Sequence, residues 1–366
     1  MPDKQLRELA KVGLEISDCI FTEKDKVVGW LCSYVPEEII HAAGFHSMRI
    51  SGKGNPIRKA DALLHNNICP FVRNVMDDAV SGDLNHLSGI VFANSCDAMR
   101  RLYDAWSVFL KNDTIFYLDP PKGKTDLAVV HYADQLRSLA LSLNRHSPKE
   151  ITTSSLNNSI KVFNQTRALI KDVSRLASNN FISGYTAFNI MQMATRCDRE
   201  KFNQRLEQFL DQFSSRQLSK KGVRILLTGC IIDQSDQIML MEDAGARVIV
   251  NELCNGSRQF DHMVLETEDP FQALAERYLK KAPCSRMLDI KGRTEYLLQL
   301  ANKNNVDGII YYIVKFCDQY MWDLPVVRDA FEKKGIPVLD VEGDYIRGSF
   351  GALQTRIEAF VESLQD

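Results

Sequence analysis

The sequence predicts an α/β protein in which two parallel-sheet layers are joined by a helical segment. Three observations carry this expectation. Short apolar runs alternate with amphipathic stretches over roughly the first 150 residues, the alternation stops between about 151 and 219, and it resumes at Lys221-Gly222. With 366 residues, 45% of them hydrophobic, the chain can fill more than one core, since single cores seldom grow beyond about 250 residues. The organisation expected is an N-terminal α/β domain (1–150), a helical linker domain (151–220) and a C-terminal α/β domain (221–366).

The elements follow in order. Residues 27–31 read as a strand, and the helix after it starts at Pro36. Pro in the first turn, Glu37 and Glu38 beside it and Gly44 past Ala43 punctuate that helix at both ends. Residues 89–93 form a second strand, followed by a polar helix from near Asp97. Residues 115–118 form a third, stopped by Asp119-Pro120-Pro121, and 126–145 a helix. In the middle segment Ile160, Phe163, Ala168, Ile170 and Val173 recur at helical spacing, and the apolar content is too high for disorder. Strands at 223–228, 246–250, 308–313 and 338–341 then alternate with helices at 237–243, 270–281, 292–304, 325–334 and 350–364.

Composition excludes several classes. Lys plus Arg number 45 against 47 Asp plus Glu, and no block of like charge stands out, so neither nucleic acid nor a membrane surface is an expected partner. The N-terminus lacks a signal-peptide pattern, and no uncharged apolar run reaches the ~18 residues of a membrane span. The expectation is a soluble, cytoplasmic protein. Neither GxGxxG nor GxxxxGK[ST] occurs, so this chain is not itself an ATPase of that kind. His41, His46 and His65 are isolated and show no metal-ligand spacing.

Nine cysteines ask a question. The odd count and the cytosolic character argue against a disulfide framework, and no CxxC pair suggests a zinc ribbon. Taken singly, each reads as a buried thiol acting as a small hydrophobe. Taken together, Cys32, Cys96, Cys230, Cys254 and Cys317 each fall just beyond the carboxyl end of an expected strand. That edge of a parallel sheet is where ligands bind. Sequence-distant thiolates meeting there suit soft iron or zinc. Ser33 and Glu37 sit at a helix start beside the same cleft, where they suit proton handling or a hydrogen bond to an acyl oxygen; alternatively Glu37 answers the helix dipole. Thr355-Arg356 suits either an anionic group or an acid across a domain interface.

Several stretches resemble one family. They are Cys32-Ser33-Tyr34-Val35-Pro36-Glu37-Glu38-Ile39-Ile40, Asn66-Asn67-Ile68-Cys69-Pro70, Asn94-Ser95-Cys96-Asp97-Ala98-Met99-Arg100, Glu252-Leu253-Cys254-Asn255-Gly256-Ser257-Arg258 and Lys315-Phe316-Cys317-Asp318. In order, from residue 27 to the end, they resemble the 2-hydroxyacyl-CoA dehydratase and benzoyl-CoA reductase family, and its smaller, β-type subunit in particular. The resemblance implies two Rossmann-like domains with a helical portion and a 4Fe-4S cluster. An ATP-dependent iron–sulfur activator would supply the low-potential electron for radical dehydration of a 2-hydroxyacyl-CoA or reduction of an aromatic acyl-CoA. Matching motifs carry over Cys69, Cys96 and Cys317 as cluster ligands; Cys32, Cys230 and Cys284 are further candidates, and Cys254 matches a structural position. The implied partners are an acyl-CoA, the activator, and either a homologous larger subunit or a second copy of the chain. A single-subunit branch carrying an 8Fe-9S double-cubane cluster is the alternative within the family. A cluster-free binding or scaffold protein is the alternative outside it.

Overall fold

The structure is a computed structural model that describes residues 2–54, 56–110, 114–213, 218, 222–344 and 350–365. Lys221, at the expected start of the second α/β part, and with it the 220/221 boundary, lie outside these residues. The chain opens with helix α1 (Pro2–Lys11). The first layer then follows: β1 (Val27–Trp30), α2 (Glu37–Ala42), β2 (His46–Arg49), α3 (Pro70–Val80), β3 (Leu87–Ala93), α4 (Asp97–Phe109), β4 (Ile115–Leu118) and α5 (Asp126–Asn144). Three helices come next, α6 (Thr153–Ser178), α7 (Gly184–Ala194) and α8 (Arg199–Gln212). The second layer comprises β5 (Val223–Gly229), α9 (Asp236–Asp243), β6 (Ala246–Glu252), α10 (Pro270–Lys280), α11 (Ile290–Asn304), β7 (Gly308–Val314), α12 (Asp318–Glu332), β8 (Val338–Gly343) and α13 (Phe350–Ser363).

Both sheets are wholly parallel, with orders β2-β1-β3-β4 and β6-β5-β7-β8. The expected fold class, two Rossmann-like parallel-sheet units with helices between, is what the chain adopts. The two orders are the same once each sheet is numbered from its own first strand. In each sheet the winding direction therefore reverses between the first and third strands, β1/β3 and β5/β7. A crevice opens at the carboxyl edge of such a switch point because the flanking loops leave in opposite directions.

Local chemistry explains where the helices begin. Thr152 and Ser155 form a capping box at the head of α6, Ser183 caps α7 and Asp198 caps α8. These signals divide the middle segment into its helices. A second apolar core there gathers Ile170, Val173, Ile190, Phe202 and Leu206 with Leu9, Leu14 and Ile16, so the N-terminal residues pack with these helices rather than on the first sheet. Three elements escape a reading by period. β2 is short and reads His-Ser-Met-Arg. Pro70 opens α3 as its first residue. Helix α12 starts at Asp318 and carries Pro325 inside it, so Pro325 does not mark its beginning. Among the described residues no helix is long and apolar enough to cross a membrane.

Candidate functional site

Cys32 follows β1, Cys96 follows β3, Cys230 follows β5 and Cys317 follows β7, so the two switch points are flanked by one thiol on each side. Cys254 follows β6. Gly229 makes the approach of Cys230 to β7 feasible: its φ is +134°, and a Cβ there would lie 1.9 Å from the carbonyl oxygen of Tyr312. Cys230 Sγ then lies 3.4 Å from that oxygen and accepts the backbone N–H of Val314 at 2.9 Å.

Cys69, Cys96 and Cys317 share a further property. Each is the N-cap residue, of α3, α4 and α12 respectively, and none caps its helix with its side chain. Ser, Thr, Asp or Asn is worth about 1 kcal/mol at such a position. None of the three closes a side-chain cap, although the backbone N–H groups of Val72 and Tyr320 act to lower the Cys69 and Cys317 thiols. The positive end of each helix also favours a thiolate.

The thiols are mutually coupled. Burial pushes Cys69 up to about 12, and Cys96 and Cys317 add to that shift. Cys317 is lowered to about 7, chiefly by a hydrogen bond from Cys230, against burial and with help from Arg286. Burial works against ionisation of Cys284, but Arg286 and Arg258 prevail and bring it to about 6. Burial raises Cys32, and the neighbouring Cys254 raises it further. Cys254 itself is lowered despite burial, because Arg49 donates to its sulfur at 3.1 Å and to its carbonyl at 3.0 Å. Electrostatic interaction thus links seven of the nine cysteines, drawn from both layers. Cys19 and Cys197 lie apart, buried in the helical core.

Cations converge on the same place. Arg49 (2% exposed) and Lys281 (1%) are buried, while Lys122 and Arg286 are half-buried. Lys122 donates to the carbonyls of Asn94 and Ser95 at 2.6 and 3.3 Å. Lys281 donates to the carbonyl of Ser33 and lies over the rings of Tyr34 and Tyr278 at 4.9 and 5.3 Å. Among the described residues none of these four makes an ion pair with a carboxylate. Arg258 and Arg293, by contrast, are neutralised by Glu252 and Asp323 at 2.5 and 2.8 Å. No motif or spacing points to Arg49 or Lys122, which reach the thiols only through the fold; Arg286, two residues after Cys284, is the one legible hint.

Ser33 is buried, 4.0 Å from the sulfur of Cys254. Glu37 is buried in an ion pair with Arg199 at 2.5 Å, and it also accepts from Ser47 Oγ and Gln259 Nε2. His41 contacts Ser159 and His65 contacts Asn67. Arg356 faces Asp340, so it meets an acid. Among the described residues no three His, Cys, Asp or Glu side chains are grouped to hold a single metal ion. An open groove of about 400 Å³ lies beside Cys284 and Cys317, lined by Ser285, Ile290, Asp318, Gln319, Trp322 and Asp323.

The family model of 2-hydroxyglutaryl-CoA dehydratase, D-component, matches residues 32–364. The chain is 26% identical over 344 residues to the (R)-phenyllactyl-CoA dehydratase beta subunit of Clostridium sporogenes, covering 93% of this chain and 92% of that one. It is 26% identical over 370 residues to the lactoyl-CoA dehydratase subunit beta of Anaerotignum propionicum, covering 98% of each. It is 25% identical over 351 residues to a benzoyl-CoA reductase subunit of Thauera aromatica, covering 93% of this chain and 91% of that one. With a match that spans nearly the whole length, the chain belongs to the 2-hydroxyglutaryl-CoA dehydratase D-component family.

Proposed function

We propose that the chain is the iron–sulfur, β-type subunit of a CoA-thioester dehydratase or aromatic-CoA reductase. The observation that carries this reading is the electrostatic linkage of seven thiols drawn from both layers, together with four cations beside them that lack carboxylate partners among the described residues. A single ion holds thiolates about 2.3 Å away, and so within about 4 Å of one another. The thiols here are not grouped in that way. A cluster instead takes each thiolate on a different iron, which suits ligands spread around a cavity, and its negative charge suits the uncompensated cations. Cys69, Cys96 and Cys317 are the proposed ligands.

A bound 4Fe-4S cluster would supply low-potential one-electron chemistry to an acyl thioester. The chain's own residues do the rest. Ser33, beside Cys254, is placed to hydrogen-bond a thioester oxygen, and the groove beside Cys284 and Cys317 is the proposed approach for the acyl group. Glu37, held by Arg199, fixes the head of α2. In this reading the electron comes from an ATP-dependent iron–sulfur activator, the second protein is a homologous larger subunit, and the assembly works in the cytoplasm.

One observation favours a second reading. Cys32, Cys230, Cys254 and Cys284 interact electrostatically with one another or with Cys317, in addition to the three N-cap thiols. They provide enough thiolates for an 8Fe-9S double-cubane cluster in a homodimeric reductase. Iron and acid-labile sulfide per chain, measured on protein purified without oxygen, separate the readings. About four of each supports the single-cluster subunit, and about eight the double-cubane enzyme. No iron after anaerobic handling sinks both and leaves a ligand-binding scaffold, whereas Cys96→Ser protein with unchanged iron removes Cys96 from the ligand set.

A further inference from the structure

We propose that Arg286 is a positioning residue that sets the reduction potential of the iron–sulfur site. This rests on the cluster reading given above. The guanidinium is split between two thiols from different parts of the second layer: Nη1 donates to Cys284 Sγ at 3.3 Å and Nη2 points to Cys317 Sγ at 3.9 Å. Its Nε is sealed from solvent and has no hydrogen-bond partner among the described residues. Its central carbon lies 5.8 Å from the ring centre of Tyr320, whose hydroxyl is itself 3.5 Å from Cys284 Sγ.

The other arginines around Tyr320 serve a different end. Arg258 and Arg293 also lie over its ring, at 5.8 and 5.3 Å, but Glu252 and Asp323 cancel their charge. Arg286 has no such partner among the described residues. It is also within electrostatic reach of all seven of these thiols. A fixed positive charge with N–H groups directed at cluster sulfurs favours the reduced, more negative state and so raises the potential. Cys317 is the one N-cap thiol that Arg286 touches, so the effect enters at a proposed ligand.

The test uses full-length protein, isolated or reconstituted without oxygen, as wild type, R286K and R286Q. Iron per chain and thermal unfolding are measured first, and then the midpoint potential by redox titration with spectroscopic detection. The expected order is wild type highest, R286K lower and R286Q most negative, at equal iron content. Lys keeps the charge but loses the second N–H contact, and Gln loses the charge. A merely structural residue would change iron loading or melting without producing this order. R286Q at the wild-type potential overturns the proposal. If R286Q fails to load iron, R286K decides alone: a more negative potential supports it, and one identical to wild type overturns it. Iron absent from the wild type removes the cluster reading, and this proposal with it; equal iron and equal potentials remove the proposal only.

Discussion

The guanidinium of Arg49, at the end of β2 in the first layer, donates to the sulfur of Cys254 at 3.1 Å, at the end of β6 in the second. Arg49 also lies 5.1 Å from the ring centre of Trp30 and donates to the carbonyl of Cys254. The contact therefore joins the two layers and favours the thiolate form of Cys254 at the same time. Hydrogen bonds to charged groups are worth about 1.5–3 kcal/mol. Arg49→Met in metal-free protein is expected to lower stability by about 2 kcal/mol, read from urea unfolding. The Arg49→Met/Cys254→Ala double variant should then lose less than the sum of the singles. Additive losses would mean that the two residues act independently.

Glu37 and Glu38 tie all three parts of the chain together. Arg199 of α8 pairs with Glu37 at 2.5 Å, Arg167 of α6 pairs with Glu38, and Tyr278 of α10 donates to Glu38 at 2.8 Å. Removing one partner of a buried pair costs about 3–5 kcal/mol because the other charge stays buried. Glu37→Gln and Glu38→Gln should each lose that much at pH 7. For Glu38, burial works to raise the carboxyl, but Arg167 and Arg277 hold it below its ordinary value of 4.5. Its contribution is therefore present above 4.5 and is lost as pH falls through the lower folded value. As pH drops from 4.5 towards that lower folded value, the stability of Glu38→Gln should fall less steeply than that of wild type, and parallel acid limbs over this interval would refute the assignment.

Much of this architecture was legible because parallel strands buried on both faces are continuous apolar runs, and those runs end where the cysteines begin. Ile309 to Val314 and Ile90 to Ala93 announce themselves in this way. β2 does not, because an edge strand of alternating burial four residues long carries too few apolar positions to show a period. Pro325 misleads for a physical reason: proline usually opens a helix, yet here it sits within α12. Cys32, Cys96, Cys230, Cys254 and Cys317 were readable from their places at strand ends, whereas Cys69 and Cys284 follow no strand. The charge around them was not, since Arg49, Lys122 and Lys281 are brought in by tertiary packing.

Phe316 has a φ of +63°, in the left-handed region, directly before Cys317. For a bulky side chain that conformation costs about 1–2 kcal/mol, and it persists because β7 and α12 fix both flanks. The residue is 39% exposed, and its ring carries the Lys315 ammonium 5.4 Å from its centre. Phe316→Gly is expected to stabilise the metal-free chain by about 0.5–1 kcal/mol, the relief of strain exceeding the added freedom of the unfolded chain. A urea midpoint at or below wild type would show that the ring contributes more than the strain takes away.

The cysteines themselves provide the most discriminating series, because serine is the better N-cap. Replacing Cys69, Cys96 or Cys317 with Ser puts a capping hydroxyl at the head of α3, α4 or α12, where the thiol makes no cap bond. Each change should therefore leave the metal-free fold at least as stable, by up to about 1 kcal/mol. Loss of iron from these variants then cannot be ascribed to a collapsed helix. Each is expected to lose most of its iron in anaerobic metal analysis, while Cys19→Ser and Cys197→Ser, buried in the helical core, should keep it. Cys32→Ser, Cys254→Ser and Cys284→Ser divide the two cluster readings. Iron held at about four per chain leaves these thiols outside a single cluster, and a fall from about eight makes them ligands of a second cubane. Full iron retention in Cys69→Ser, Cys96→Ser and Cys317→Ser alike would remove the N-cap thiols from the site.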